Sequence, residues 1–202
     1  LLTSRHLGPA RFGQFASSLS TAALSAIVFN WGLDTWLLRS GAQHTDQIGR
    51  LLGNALMLKV GVGIPWVIGL ALVLPAVRSE IYPTLLVLVV AAAVWLEGLF
   101  TAILVAFKTL LQNAKTAWLL TASRGGILLL TVVLVLSDVG DPLAFALVRF
   151  GIGAALVGLS AFWLPFKVTS GSLARLQEIW RNARPFAISD LFTSVYVQAD
   201  VT

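Results

Sequence analysis

The sequence predicts an all-α protein that crosses a membrane several times, on three observations. Hydrophobic residues make up 57% of the 202 and charged residues only 11%, against roughly 25% charged in a soluble domain. Mean hydropathy is +0.87. The apolar residues also gather into runs of the length that a bilayer core demands, about 20 residues for a helix. In lipid only helices and closed barrels satisfy their own backbone, and these runs lack the two-residue alternation of a barrel. A soluble enzyme, a disordered chain and a coiled coil are excluded, because so little polar surface cannot cover a globule.

Six apolar runs follow in order. The first reaches from about Phe12 to Leu38. The second extends from Leu51 to Leu74, ending at Pro75, with Gly61, Gly63 and Pro65 predicting a kink inside it. The third covers Tyr82 to Phe107 and the fourth Ala117 to Leu136. The fifth, Pro142 to Pro165, opens on Asp141-Pro142, an N-cap followed by proline at the first helical position. The sixth starts at Pro185 and reaches the end of the chain. Five complete spans plus a sixth are therefore expected. Between the fifth and sixth, Leu173, Leu176, Ile179 and Trp180 share one helical face, with Arg175, Glu178 and Arg181 on another. That pattern predicts a short amphipathic helix, either interfacial or a solvated linker. The expected organisation is a bundle over 1–165, a cytoplasmic linker over 166–184 and the first helix of a second bundle over 185–202.

The formal charge is +5. The basic residues are thinly spread, which fits the positive-inside bias better than nucleic-acid binding. Alternate loops carry Arg39, Arg50, Lys108, Lys115, Lys167, Arg175, Arg181 and Arg184 on one side, and Arg5, Arg11 and Arg78 on the other. The first side is expected to be cytoplasmic. The segment around Arg5 is then external, which calls for an odd number of spans upstream if the intact protein's N-terminus is cytoplasmic. With no initiating Met, the chain reads as an internal piece of a longer protein.

Polar groups inside spans carry the functional information, because lipid makes them costly. Gln14, Ser18, Thr21 and Ser25 recur on one face of the first span; such a stripe lines a hydrated cavity or packs helices together. Lys59 lies about 12 Å into the second span, where it snorkels or serves the interior. Glu97 sits near the midplane of the third, as a cavity group, a proton-coupling group or half of an ion pair. Arg124 and Arg149 each lie about a third of the way into their spans. With Lys59 they suggest a cationic lumen for a phosphate or carboxylate, unless they are tied structurally to Glu97 or to carbonyls.

Catalytic and metal motifs are missing from the sequence. There is no Cys. His6 and His44 have no partner at zinc spacing. Asp138 and Asp141 share a tight loop in which Asp141 caps a helix. No phosphate-binding loop or Ser/His/Asp motif is visible. Neither a cofactor nor a metal is expected, nor enzymatic activity.

Several short motifs resemble a known family. Leu7-Gly8-Pro9-Ala10-Arg11-Phe12-Gly13 is similar to the L-G-P-x-x-[FY]-G signature that follows the first helix of Wzx-type polysaccharide flippases. Gly32-Leu33-Asp34 through Arg39 resembles the end of their second helix. Arg184-Pro185-Phe186-Ala187-Ile188 and Tyr196-Val197-Gln198-Ala199-Asp200 resemble parts of their seventh. The resemblance implies the multidrug/oligosaccharidyl-lipid/polysaccharide exporter superfamily, of 12 to 14 helices in two bundles. This chain would hold helices two to seven. It further implies translocation of undecaprenyl-diphosphate-linked oligosaccharide across the bacterial inner membrane by alternating access, in O-antigen and lipopolysaccharide biosynthesis. Protons or sodium would be coupling ions, with lipid-linked oligosaccharide and membrane lipids as partners. Asp200 matches a motif carboxylate and joins Glu97 as a coupling or ion-pair candidate. The competing readings are a drug or lipid-precursor exporter of the same superfamily and, from another class, a membrane-embedded polysaccharide polymerase or ligase.

Overall fold

A computed structural model describes residues 2–169 and 176–187, and among these it is all-helical, without strands. The elements are α1 (Leu2–Ser25), α2 (Ile27–Asn30), α3 (Leu33–Gln43), a 3-10 turn at Thr45–Gln47, α4 (Ile48–Arg78), α5 (Thr84–Thr109), α6 (Asn113–Leu136) and α7 (Pro142–Phe162). Residues 176–187 form a further helix, α8. Five helical stretches are long and apolar enough to cross a membrane: Leu7–Asn30, Thr45–Arg78, Thr84–Thr109, Asn113–Leu136 and Pro142–Phe162. The chain is a multi-pass membrane protein. The expected sixth span lies, beyond residue 187, outside the described residues.

α5 is the axis of the bundle. Its apolar residues point in nearly every direction, and the structure surrounds it accordingly. Val87, Val90, Ala91, Ala102, Ile103, Ala106 and Phe107 are all buried. One apolar cluster joins α5 to α3, α4 and α8 through Leu33, Leu37, Leu52, Ala102 and Ile179. A second joins α1 and α2 to α4, α5 and α7 through Ala22, Phe29, Trp66, Val90 and Ala146. A third ties α6 and α7 to α5 through Phe107, Leu119 and Leu156. α6 is peripheral, with Leu128, Leu129 and Leu136 projecting outward. Apolar side chains on such a face suit lipid, which is as apolar as they are.

Loop contacts sort the ends of the spans. At one end the Arg11 guanidinium donates to Gly140 O (2.6 Å) and Gln14 Nε2 to Glu80 O (2.8 Å). At the other, the backbone of Thr169 donates to Gly49 O (3.3 Å), and the Lys115 ammonium lies 5.7 Å from the Phe107 ring centroid. The spans thus alternate in direction as the charge pattern requires. Asp141 caps α7 as expected, its carboxylate accepting from Leu143 N at 3.0 Å with Pro142 next.

Three expectations need correction. The first span is not one helix from Phe12 to Leu38. It ends at Asn30, passes through Trp31 (φ 38°) and Gly32 (φ 69°), and resumes at Leu33. Two successive left-handed residues cannot continue a right-handed helix. Conversely, α4 runs through Gly61, Gly63 and Pro65 as one helical segment, so these residues do not interrupt it. Gly63 there is a contact surface, since a Cβ on it would stand 2.2 Å from Trp95 Nε1. Finally, α8 runs across the expected boundary at 184/185. Its apolar face is turned to the bundle, where Leu176, Ile179 and Ala183 are buried. The outer face, with Glu178 and Arg181, is exposed. Leu173 and Arg175 lie outside the described residues.

Candidate functional site

The break between α2 and α3 places two polar side chains in the middle of the bundle. Asn30 ends α2 and Asp34 lies in the first turn of α3, where a carboxylate is favoured by the peptide dipoles. Both reach Lys59 of α4. The Lys59 Nζ donates to Asn30 Oδ1 (2.9 Å), to Asp34 Oδ2 (2.9 Å) and to the backbone carbonyl of Gly98 (2.9 Å), with Asp34 Oδ1 at 2.8 Å. The Lys59 side chain is 0% exposed. Gly98 lies 14 residues into α5, about 21 Å from its start, so the cluster is deep within the bilayer span. Lys59 therefore does not snorkel.

A second pair sits on α5 and α7. An Arg149 terminal nitrogen donates to Glu97 Oε1 at 2.7 Å. This pair is more open, with side-chain exposures of 22% for Arg149 and 36% for Glu97. Arg149 Nε is buried and has no partner among the described residues. Thr101, one turn along α5, is exposed, and its hydroxyl donates to Glu97 O (2.8 Å). A guanidinium carries five N–H donors, and only those on its terminal nitrogens lie where another anion could meet them.

The three expected cations are thus not one lumen. Lys59 is enclosed with its donors used, Arg149 is paired with Glu97, and Arg124 is exposed on α6. The reading of Arg124 as buried is corrected, because α6 packs only along a narrow edge. Along the polar stripe on α1, Gln14 borders a cavity with Arg11 and Asp141, and the buried Ser18 Oγ has no partner among the described residues. Ser18 is 1% exposed. The Thr21 hydroxyl lies 3.4 Å from that of Tyr82, and Ser25 Oγ donates back to Thr21 O (2.8 Å). These are packing contacts, and small hydroxyl residues suit close helix approach. Asp200 lies outside the described residues.

Sequence reasoning missed Asn30 and did not weigh Asp34 as a buried charge. The signal was present: a carboxylate and an amide four residues apart in an apolar run share one helical face, and a carboxylate there needs a partner. Their convergence on Lys59 and Gly98 required the fold. Comparison with protein-family models, with curated proteins and with solved structures finds no match for this chain.

Proposed function

We propose that this chain belongs to a transporter, not an enzyme, that moves undecaprenyl-diphosphate-linked oligosaccharide across the bacterial inner membrane by alternating access, for surface polysaccharide biosynthesis. The observation that carries the reading is Arg149. It is a guanidinium well inside a span, 22% exposed, with one terminal nitrogen bonded to Glu97. A diphosphate offers several acceptor oxygens to a planar fork of N–H groups. Glu97 holds the guanidinium in place until such an anion replaces it, and the displaced carboxylate is then neutralised by a proton or a small cation. Arg124, exposed on α6, is a second basic group within the span.

The short family-like motifs add support because their residues fall at constrained places. Gly8 has φ 73° just before Pro9. Gly32 sits in the break, and Asp34 binds Lys59. A cationic-drug exporter is the second reading. It requires an accessible acid free of a cation, and Glu97 already has Arg149.

The test is complementation of a strain lacking its O-antigen flippase with the full-length gene, reading surface polysaccharide. Restoration is expected. Arg149→Ala should then lower surface polysaccharide at unchanged protein level, and Arg149→Lys should recover part of it. If Arg149→Ala and Arg124→Ala both export normally, the anion-binding role is wrong. Membrane insertion without complementation, together with gained drug resistance, would favour the second reading.

A further inference from the structure

We propose that Asn30, Asp34 and the Gly98 carbonyl form a cage for a small monovalent cation, and that its occupant is the chain's own Lys59 ammonium. The inference does not depend on which substrate the transporter carries. A primary ammonium has three N–H donors, and three residues on three helices accept from it: Asn30 of α2, Asp34 of α3 and Gly98 of α5, at 2.9 Å each. Asp34 supplies the single negative charge that neutralises it, with its other oxygen at 2.8 Å. The cage lies where a spanning helix breaks. In transporters, oxygens at such breaks are where small coupling cations bind. Here the position is filled by a tethered cation.

The surroundings are shaped for this arrangement. Gly98 has no Cβ; a methyl there would stand 2.5 Å from Phe29 Cε2 and 3.2 Å from Asn30 Oδ1. Only glycine lets the α5 backbone come this close to the break. Trp95 Nε1 donates to the Lys59 carbonyl (3.0 Å), which fixes the stretch of α4 from which the side chain departs. The break itself is covered by α8. Trp180 stacks on Trp31 with ring centroids 5.0 Å apart and planes 2° from parallel, and a Cβ on Gly32 would meet Ala187 N at 2.5 Å. Filling the cage closes the joint between α2 and α3 without any ion from solution.

Chemical rescue tests this. The full-length protein and its Lys59→Ala variant are melted in detergent in choline chloride, with methylammonium, sodium or tetramethylammonium exchanged for choline at constant ionic strength. Lys59→Ala should melt several degrees below the wild type, because Asp34, Asn30 and the Gly98 carbonyl lose their shared cation. Methylammonium should restore part of that loss with saturating concentration dependence. Tetramethylammonium, which has no N–H, should not, and the wild type should respond to neither. The proposal is overturned if Lys59→Ala melts like the wild type, or if methylammonium and tetramethylammonium act alike. If Lys59→Ala cannot be purified, Lys59→Met and Lys59→Met/Asp34→Asn decide. Recovery of membrane-inserted protein in the double variant alone supports the cage, because removing the anion removes the need for a cation. Equal loss of both overturns it.

Discussion

Ion pairs between helices at nearly the same distance, 2.8 Å for Lys59–Asp34 and 2.7 Å for Arg149–Glu97, do different work among the described residues. The first has an enclosed cation: its ammonium is 0% exposed with an acceptor for every donor, while the Asp34 side chain is 24% exposed. The second is partly open, with Arg149 22% and Glu97 36% exposed and one guanidinium nitrogen bonded to the carboxylate. Distance does not distinguish a structural lock from a binding group. Enclosure and saturation do, because a ligand needs both a path to the charge and a donor that is still free. The choice of side chain fits this division. A compact ammonium suits a three-acceptor cage, and a planar guanidinium suits an anion that exchanges.

The largest expected effect is on the enclosed pair. Lys59→Met leaves Asp34, 24% exposed, without its cation and should cost up to about 3 kcal/mol, below the roughly 3–5 kcal/mol of a fully buried pair because solvent reaches the carboxylate. Lys59→Met/Asp34→Asn should regain most of it. A double-mutant cycle by thermal or denaturant unfolding in detergent measures the coupling. If Lys59→Met is neutral, the contrast between the two pairs collapses.

Gly32→Ala comes next. The new methyl must accept φ 69° and meet the α8 backbone at 2.5 Å. A loss of about 2–3 kcal/mol is expected, combining the left-handed strain with a clash that packed backbone cannot relieve. The same unfolding assay reads it. Proteolysis between α7 and α8 should accelerate in parallel, since α8 covers this joint.

The cap on α7 gives a smaller effect and calibrates the scale. Asp141→Ala removes the bond to Leu143 N and should cost about 1 kcal/mol. Arg149→Met should cost less still in stability, about 0.6 kcal/mol, in line with polar contacts between membrane helices. It should nonetheless abolish most export in the complementation strain. Strong destabilisation by Arg149→Met would make the second pair structural as well.

Much of the fold was legible in the chain. The apolar runs announced five spans within a few residues at most ends, because a bilayer fixes both the length and the polarity of whatever crosses it. Asp141-Pro142 announced its cap, since that signal lies within three consecutive residues. The break at Trp31–Gly32 was not legible. Trp31 is a bulky residue in a left-handed conformation that it rarely adopts, and the stacked Trp180 that holds it lies 149 positions later. Pro65 raised the opposite expectation. Neighbouring helices absorb a proline in a membrane span, and here α4 passes through it unbroken.

The candidate site divides in the same way. That Lys59, Glu97 and Arg149 would be conspicuous follows from the sequence alone, because a charge in an apolar run must find a partner. Which partner each finds was a matter of tertiary structure. Lys59 meets residues 25 and 29 positions earlier and a carbonyl 39 positions later, and Arg149 meets a carboxylate 52 positions earlier. Composition and hydrophobic length, which act locally, determined that this chain is a bundle of membrane helices. The joint in the first span, the enclosure of the Lys59 ammonium and the pairing of Arg149 with Glu97 were decided by how helices approach one another around α5. Such approach depends on glycine gaps and side-chain shapes brought together from distant parts of the chain.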